Sequence, residues 1–355
     1  MQNDEDTMVR LLILGTGFMA GNHAMAFSAH PDCTVVGAAD IDPQALAAFL
    51  SKHDVPQGFH DIEEALDWGG FDAVANVTPD AVHHPTTMQL IEAEKHVFCE
   101  KPLAVNAADA GAMADAIESA GLVGMVNLTY RNASAIQKAR EFVAAGRIGE
   151  VRHVEASYLQ SWLTANYWGD WRTTPTFLWR LSEAHGSKGV LGDVGIHIAD
   201  FASYGADSEI ADVSCSLKTF DKAEGNRIGE YLLDANDSAT MTVGFRNGAI
   251  GVIHATRFAT GYQNRLALQV FGTRGAIRLD LDKSWSELEI CEGADVHHQR
   301  WTKINCGEVA TNYSRFVEAV MRGATLEPSF RRAANLQAVL DSCFESNRTG
   351  RRITL

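Results

Sequence analysis

Apolar and amphipathic segments alternate along the first 128 residues of the chain. Short apolar runs, each long enough for one buried strand, stand at 9–14, 34–39, 72–77, 96–99 and 122–127. Segments with the helical spacing of apolar residues separate them, at 21–30, 62–68, 84–94 and 106–120. Strands that alternate with helices predict right-handed βαβ crossovers. This part of the chain is therefore expected to form an α/β domain with a doubly wound parallel sheet.

The pattern changes after about residue 128. One further helix is expected at 132–145, and segments with strand character follow it at 151–161, 210–219, 237–245, 249–255, 265–271, 276–281 and 287–291. Turn sequences such as Arg246-Asn247-Gly248 join successive strands, which favours an antiparallel sheet. Helices are expected at 312–322 and 329–347. The sequence thus predicts two domains, 1–128 and 129–355, the second of the α+β class.

A glycine-rich turn, Gly15-Thr16-Gly17-Phe18-Met19-Ala20, follows the first predicted strand at once. In the dinucleotide fingerprint the first glycine permits the tight turn, the second lets the backbone approach a pyrophosphate, and a small third residue allows close packing. Asp40 ends the next strand, where a carboxylate binds the adenosine ribose and repels a 2′-phosphate. A glycine-rich turn without a ligand is the alternative. The flanking strand and helix and the spacing of the acid favour NAD binding, with NAD preferred to NADP.

Two predicted strands end at a residue that precedes proline, in Thr78-Pro79 and Lys101-Pro102. The residue before proline is pushed into an extended conformation, which holds it at the carboxyl end of its strand. Ligands of open α/β sheets bind outside those ends, so we expect both segments to line one crevice. The Lys101 amine would face its contents, with His83 on the first turn of the next helix. A solvated loop lysine is the alternative, and the segment taken alone favours it.

Asp193 and His197 stand four residues apart in the second predicted domain. If Gly192 opens a helix, both side chains lie on one face, and the carboxylate can orient or charge the imidazole. Such a pair is suited to general acid/base chemistry. From spacing alone, a helix-capping aspartate beside a surface histidine is at least as good an interpretation. Metal binding is a third, but it would need further ligands of matching spacing, which the sequence does not offer.

Composition and charge narrow the class of protein. The formal net charge of −15 opposes binding to a phosphate backbone, so nucleic acid is not expected as a partner. Six cysteines lie without a C-x-x-C pair or regular spacing, which fits reduced thiols in the cytoplasm and no metal site. The acidic start lacks the regions of a signal peptide, and no run approaches the roughly eighteen apolar residues of a membrane span. We expect a soluble cytoplasmic protein, with disorder confined to about the first eight residues.

Together these motifs resemble the glucose–fructose oxidoreductase and inositol dehydrogenase family, known as Gfo/Idh/MocA, over essentially the whole chain. Its marks are the fingerprint, Thr78-Pro79 with His83, Glu100-Lys101-Pro102, Gly146-Arg147-Ile148-Gly149-Glu150-Val151 and Gly192-Asp193-Val194-Gly195-Ile196-His197. Many members carry Gly-Lys where this chain has Glu94-Lys95, so the preceding helix lacks a glycine C-cap.

The resemblance implies a Rossmann domain, followed by a catalytic domain whose broad open sheet often forms dimers or tetramers. The carboxy-terminal helix would be able to pack back on the first domain. The resemblance also implies a dehydrogenase that oxidises a secondary or anomeric hydroxyl of a sugar, cyclitol or related polyol with NAD.

The resemblance also implies roles for individual residues. Lys101, Asp193 and His197 would meet at the nicotinamide, with His197 as the base and Lys101 stabilising charge on the reacting oxygen. The residues that would contact the cofactor are Gly15, Thr16, Gly17, Phe18, Met19, Asp40, Thr78, Pro79, His83, Glu100, Lys101 and Asn127. Those that would contact the substrate are Lys101, Tyr130, Arg131, Trp171, Arg172, Asp193 and His197.

Other functions share this scaffold. A glycoside hydrolase that recycles bound NAD and an NADH-dependent keto-sugar reductase both stay open. A non-catalytic regulator is disfavoured, because Lys101, Asp193 and His197 are all present. The aromatic stretch from Trp162 to Trp179 also has two interpretations, stacking on sugar C–H surfaces or a hydrophobic staple between domains.

Overall fold

The computed structural model describes residues 8–323 and 327–355. The expected amino-terminal disorder falls mainly on residues 1–7, which lie outside the described part of the chain. The chain divides into two compact units. Unit 1 comprises Met1–Thr129 and Ala310–Gln337, and unit 2 comprises Tyr130–Val309 and Ala338–Leu355. The carboxy-terminal part of the chain therefore contributes residues to both units.

A six-stranded parallel sheet forms the centre of unit 1. Its strands are β1 Val9–Leu14, β2 Cys33–Ala39, β3 Gln57–Phe59, β4 Ala73–Asn76, β5 His96–Cys99 and β6 Gly124–Val126. They lie in the order β3-β2-β1-β4-β5-β6, so the chain changes direction across the sheet between β1 and β4. Ligands of doubly wound sheets bind at such a switch point, outside the carboxyl ends of the strands. The predicted doubly wound sheet is confirmed.

Five helices connect these strands within the described residues. They are α1 Ala20–Ser28, α2 Pro43–His53, α3 Ile62–Trp68, α4 His83–Glu92 and α5 Ala107–Ser119. The sequence analysis missed α2, although its start carries two signals. Asp42 caps the helix by accepting hydrogen bonds from the backbone N–H groups of the first turn, and Pro43 occupies the first helical position. After α4 ends, Glu94 adopts a left-handed φ of 57°, at the position where the resembled family often has glycine.

A nine-stranded sheet dominates unit 2. Its members are β7 Val151–Gln160, β8 Ile210–Lys218, β11 Ser238–Phe245, β12 Ile250–Thr256, β13 Asn264–Gly272, β14 Gly275–Asp280, β15 Glu287–Glu292, β16 Thr302–Asn305 and β17 Ile353–Thr354, and a separate hairpin contains β9 Arg227–Ile228 and β10 Tyr231–Leu232. The order in the large sheet is β16-β15-β14-β13-β7-β12-β11-β8-β17. Within the described strands of this large sheet, only β7 and β12 pair in parallel, so the predicted mainly antiparallel sheet is confirmed.

The remaining α-helices of the described residues are α6 Ser134–Ala144, α7 Pro175–Leu178, α8 Ile196–Gly205, α9 Asp295–His298, α10 Asn312–Arg322 and α11 Phe330–Thr349. A π-helical turn at Leu191–Gly195 runs directly into α8, and every residue of α8 is buried. In residues 8–323 and 327–355, no helix is both long enough and apolar enough to cross a membrane.

The core of unit 1 lies between α1, β1, β5 and α10. Phe27 and Phe98 meet edge to face at a centroid distance of 5.3 Å, and Tyr313 packs on both rings. These side chains hold α1 and α10 against the sheet, since aromatic pairs add to the stabilisation from buried apolar area. The glycine-rich turn at the start of α1 is therefore attached to a rigid support.

Candidate cofactor-binding and catalytic sites

The fingerprint turn joins β1 to α1 at the switch point of the sheet. Gly15 has a φ of 88°, and its N–H donates to the Ala39 carbonyl at 2.8 Å. A Cβ at Gly15 would lie 2.9 Å from the Val77 carbonyl oxygen, so the turn requires glycine there. A Cβ at Gly17 would meet no atom of the described residues within 4 Å. The backbone at Gly17 thus faces open space, as the approach of a pyrophosphate would require.

Asp40 is fixed beside this turn by hydrogen bonds. Its Oδ2 accepts from the Thr16 N–H at 2.6 Å and from Thr16 Oγ1 at 2.7 Å, and its Oδ1 accepts from the Asp42 N–H at 2.9 Å. Burial opposes ionisation, but these hydrogen bonds outweigh it and hold the pKa of Asp40 below its ordinary value. A charged carboxylate therefore stands at the end of β2, where it suits a ribose and opposes a 2′-phosphate.

Two apolar side chains stand on the surface of the fingerprint turn. Phe18 is 95% exposed, and Met19 is partly exposed. Ile41, next to Asp40, is also largely exposed. An exposed Phe or Ile is common on its own, but these three lie on loops at the carboxyl ends of β1 and β2.

His83 connects the two segments that precede proline. Its Nε2 lies 2.8 Å from the Thr78 carbonyl oxygen, and its Nδ1 lies 2.7 Å from the Pro102 carbonyl oxygen. The imidazole is fully buried. His83 was predicted to contact the cofactor. The structure places its ring between two backbone carbonyls, where it holds Thr78-Pro79 and Lys101-Pro102 side by side.

Glu100 anchors the backbone of the half-buried Lys101. Its carboxylate accepts from His23 Nε2 and Asn127 Nδ2, each at 2.8 Å, and from the Lys101 N–H at 3.1 Å. Burial alone would raise the pKa of Glu100, but the hydrogen bonds from His23 and Asn127 and the nearby Lys101 charge lower it to about 2. Glu100 thus stays ionised beside Lys101.

His23 was missed by the sequence analysis. Its buried ring lies on α1, three residues after Ala20 of the fingerprint, so its position on the inner face of a predicted helix was the available signal. Asn127 is surrounded in turn: Asn312 donates to its side-chain oxygen at 3.3 Å, and its Nδ2 also lies 3.3 Å from the Tyr313 hydroxyl. The predicted cofactor residues Glu100 and Asn127 therefore belong to one buried network.

Asp193 and His197 lie on the π-turn and the first turn of α8 in unit 2. His197 is only 8% exposed, and its ring packs edge to face on Tyr130 at 5.0 Å. Asp193 Oδ2 accepts from Arg257 Nη2 at 3.2 Å. Val190, not Asp193, is the N-cap of this segment, and His197 is buried, so a capping aspartate beside a surface histidine does not fit the geometry.

Arg257 was also missed by the sequence analysis. Its guanidinium is fully buried, donates from Nη1 to the Arg180 carbonyl at 3.0 Å, and lies 4.8 Å from the ring of Trp162. Burial lowers the pKa of Arg257, and the charge and hydrogen bond of Asp193 oppose that effect. The pair gives Asp193 a fixed positive partner. No sequence motif marks it, because 64 residues separate the two side chains.

Arg131 was predicted to contact the substrate, but its side chain is buried in an ion pair. Nε and Nη2 donate to the two carboxylate oxygens of Asp200 at 2.6 and 2.7 Å, and the guanidinium lies 3.3 Å from the Tyr204 ring. Only 1% of Arg131 is exposed. This bidentate pair holds the start of α6 to α8.

The aromatic stretch divides into core and surface. Trp162 and Trp171 are buried in a hydrophobic cluster of unit 2, and the Trp171 indole donates to the Leu163 carbonyl at 3.2 Å. Trp168 and Trp179 are partly exposed. Arg172, the other predicted substrate contact of this stretch, is exposed beside Asp170. Trp171 thus stabilises the loop that carries Arg172.

Unit 1 carries a dinucleotide turn and an anchored lysine, and unit 2 carries an aspartate–histidine pair whose histidine is buried. Among the described residues, no group of three or more His, Cys, Asp or Glu side chains is arranged to hold a metal ion. The turn, the lysine and the aspartate–histidine pair are features of a nucleotide-dependent oxidoreductase.

Comparison with known proteins agrees with this class. A model described as an oxidoreductase family with an NAD-binding Rossmann fold matches residues 9–128, and a model of the GFO/IDH/MocA C-terminal domain matches residues 136–278. The chain belongs to the GFO/IDH/MocA family, which confirms the resemblance. It is an NAD-binding oxidoreductase of the sugar and polyol dehydrogenase type.

Relatives align with this chain over nearly their whole length. Levoglucosan dehydrogenase of Pseudarthrobacter phenanthrenivorans is 25% identical, over 94% of this chain and 95% of the relative. Inositol 2-dehydrogenase of Rhizobium meliloti is 27% identical, over 98% of this chain and 99% of the relative. An oxidoreductase domain protein from Kribbella flavida superimposes with a TM-score of 0.86 at 29% identity, covering 98% of this chain and 99% of that one.

Proposed function

We propose that this protein oxidises a secondary or anomeric hydroxyl of a sugar, cyclitol or related polyol. The observation that carries the proposal is the pair Asp193–His197 on one helical element, in which the His197 ring is buried and the partly exposed Asp193 carboxylate pairs with Arg257. A surface histidine would need no such support. The relatives named above act on levoglucosan and inositol, both polyhydroxylated rings, which supports the same substrate class.

The residues of unit 1 fit NAD. The open backbone at Gly17 and the N-terminus of α1 suit a pyrophosphate, and the charged Asp40 suits the adenosine ribose. Gly15, Thr16, Phe18 and Met19 complete the turn, and Thr78, Pro79, His83, Glu100 and Asn127 form or support the wall on the Lys101 side. The 2′-phosphate of NADP would meet the carboxylate of Asp40, so we propose a preference for NAD.

Bound NAD supplies the hydride acceptor of the reaction. The substrate hydroxyl must lose its proton as the hydride leaves, and a positioned base contributes about 10²–10⁴-fold to such a step. We assign that proton to the ring of His197, which Asp193 orients. Lys101 would donate a hydrogen bond to the reacting oxygen and stabilise the charge that develops on it. Glu100 holds the backbone of Lys101 in place.

A screen for NADH formation tests the proposal. Levoglucosan, myo-inositol, aldoses and sugar acids would each be supplied with NAD, and absorbance would be followed at the nicotinamide band. We expect NADH in proportion to at least one polyol. Release of sugar from a glycoside without net NADH would indicate the recycling hydrolase instead. Keto sugars supplied with NADH would reveal the reductase direction, which the relative named 1,5-anhydro-D-fructose reductase makes worth testing. Failure of every polyol would refute the proposed function.

The two units suggest separate binding roles and an oligomeric state. We propose that residues 1–128 bind NAD, and that residues 129–355 bind the substrate and form a homodimer or homotetramer. Ile250 and Val252 are exposed on β12 in the middle of the large sheet, where a second copy would cover them. Six free cysteines, five of them buried, support a cytoplasmic location. Light scattering of wild type and of Val252→Glu measures the oligomeric state. A monomeric wild type would refute the proposed homodimer or homotetramer.

A further inference from the structure

Two tyrosine hydroxyls form a direct pair next to His197. Tyr130, at the start of unit 2, and Tyr158, on β7, hydrogen-bond to each other through their hydroxyl oxygens, with their rings perpendicular at 5.7 Å. Tyr158 is only 3% exposed, so its hydroxyl is removed from bulk solvent. The Tyr130 ring packs against His197, which places the pair beside the proposed base.

A chain of amide groups approaches this pair from one side. Trp162 Nε1 lies 3.3 Å from Gln160 Oε1, Gln160 Nε2 lies 2.9 Å from Asn264 Oδ1, and Asn264 Nδ2 lies 3.1 Å from the Tyr130 hydroxyl. The indole N–H can only donate, so it fixes the orientation of the Gln160 amide. That amide fixes Asn264, and Asn264 then presents an N–H donor to Tyr130. The hydroxyl oxygen of Tyr130 is therefore an acceptor in this chain.

The two tyrosine hydroxyls have one more hydrogen than the hydrogen bond between them uses. Two hydroxyls carry two O–H hydrogens, and the bond between them uses one. Within residues 8–323 and 327–355, neither hydroxyl has a further acceptor for the second hydrogen. Tyr130 is the partly exposed member of the pair, so its hydroxyl can offer the spare hydrogen to an acceptor atom of a ligand.

Electrostatics keep this donor available. Burial raises the pKa of both Tyr130 and Tyr158, and the negative charge of Asp193 raises both further. The hydroxyls therefore remain protonated at any pH at which the enzyme would work. The shared influence of Asp193 also shows that the pair lies within the field of the proposed catalytic carboxylate.

We propose that the Tyr130–Tyr158 pair is a docking point for an acceptor oxygen of the substrate, and this inference rests on the proposed function. The pair offers a hydrogen and already accepts one from Asn264, so it selects a lone pair. A hydroxyl, ring or bridging oxygen of a carbohydrate fits this requirement. An ammonium group, as in an amino sugar, offers no lone pair and does not.

Removal of either tyrosine alone would leave one hydroxyl hydrogen for a ligand, so the test compares the double variant Tyr130→Phe/Tyr158→Phe with wild type on levoglucosan and myo-inositol, together with their monodeoxy and monodeoxyfluoro derivatives. Tyr231→Phe is the matched control, since that ring stacks on His185 rather than on His197. In wild type, one deoxy derivative should lose about 10- to 100-fold in kcat/KM, and the fluoro derivative, a weak acceptor, should lose less. The double variant should lower kcat/KM for the parent polyol by a similar factor and treat the parent and that deoxy derivative alike.

Asn264→Asp supplies an independent variant, because it retains both hydroxyls and the shape of the chain. Its carboxylate would accept the spare hydrogen. The ratio of kcat/KM for the parent polyol to that for the deoxy derivative should therefore also fall towards one. A tyrosine that serves only packing would leave that ratio unchanged. Retained discrimination in the double variant, with Tyr231→Phe like wild type, would overturn the inference.

The same substrates separate this inference from the proposed function. If none of the polyols yields NADH, their binding to the NADH complex is measured by quenching of nicotinamide fluorescence. Weaker binding of the parent polyol to the double variant than to wild type would still support the docking point. Equal binding, or no binding to either, would overturn it.

Discussion

Replacement of Glu100 by Gln should remove a pH-dependent part of the stability of this protein. Glu100 is enclosed by His23, Asn127 and the Lys101 backbone, all of which present N–H donors to it. A Gln side chain retains the shape but has one oxygen and an NH₂ group, so it must point a donor at a donor. The variant therefore loses both the charge and one of the hydrogen bonds.

The magnitude follows from the pKa of Glu100. Its ordinary value of 4.5 falls to about 2 in the folded protein, which corresponds to about 3 kcal/mol of stability at neutral pH. Because the folded pKa is the lower one, this stability is present above pH 4.5 and is lost as the pH falls through about 2. At pH 3 roughly half of it or less should remain.

The assay is denaturant unfolding, followed by circular dichroism, of wild type and Glu100→Gln at pH 7 and at pH 3 to 4. The difference in unfolding free energy between the two proteins should shrink at the lower pH. Glu92→Gln, which alters an exposed carboxylate at the end of α4, is the control and should change stability little at either pH. An equal difference at both pH values would show that the charge of Glu100 does not stabilise the fold.

Four further substitutions test the site and the turn that supports it. Lys101→Ala and His197→Ala should each lower kcat by about 10²–10⁴-fold with NAD affinity nearly intact in a fluorescence titration, and a similar loss of NAD affinity in both would contradict their assignment. Asp40→Ala should raise kcat/KM with NADP relative to NAD, whereas equal use of both cofactors by wild type would show that the acid does not reach the ribose. Gly15→Ala should lower thermal stability by about 1–3 kcal/mol, because its φ is 88°, and an unchanged melting temperature would rule out that strain. Glu94→Gly should raise stability by up to about 1 kcal/mol through relief of its positive φ, and a lower melting temperature would argue against relief.

The parts of the fold that follow from local pattern could be predicted from the sequence. The alternation of strand and helix set the parallel sheet, and the spacing from Ala20 to Asp40 located the carboxylate beside the turn. The parallel pairing of β7 with β12 could not be predicted. The alternation of apolar and polar residues along a strand does not indicate whether the neighbouring strand runs parallel or antiparallel to it.

The candidate site shows the same limit at the level of side chains. His83 and Arg131 are predicted to contact the cofactor and the substrate, but the sequence did not indicate that backbone carbonyls and Asp200 are their buried partners. Arg257 and Tyr158 were not singled out at all. Each of them contacts a site residue that is distant in sequence. A sequence motif contains only residues that are close together in the chain, so it cannot indicate such a contact.

The π-turn at Leu191–Gly195 has a consequence for how this site can vary. A π-turn holds one more residue than an α-helical turn, so it marks a place where the helix tolerates a change in length. Deletion of one residue between Asp193 and His197 would restore an α-helix and shorten their spacing from four residues to three. Positions three apart still lie on one face of an α-helix, so the two side chains would stay neighbours. Loss of a single codon could thus remove the π-turn without separating the two groups.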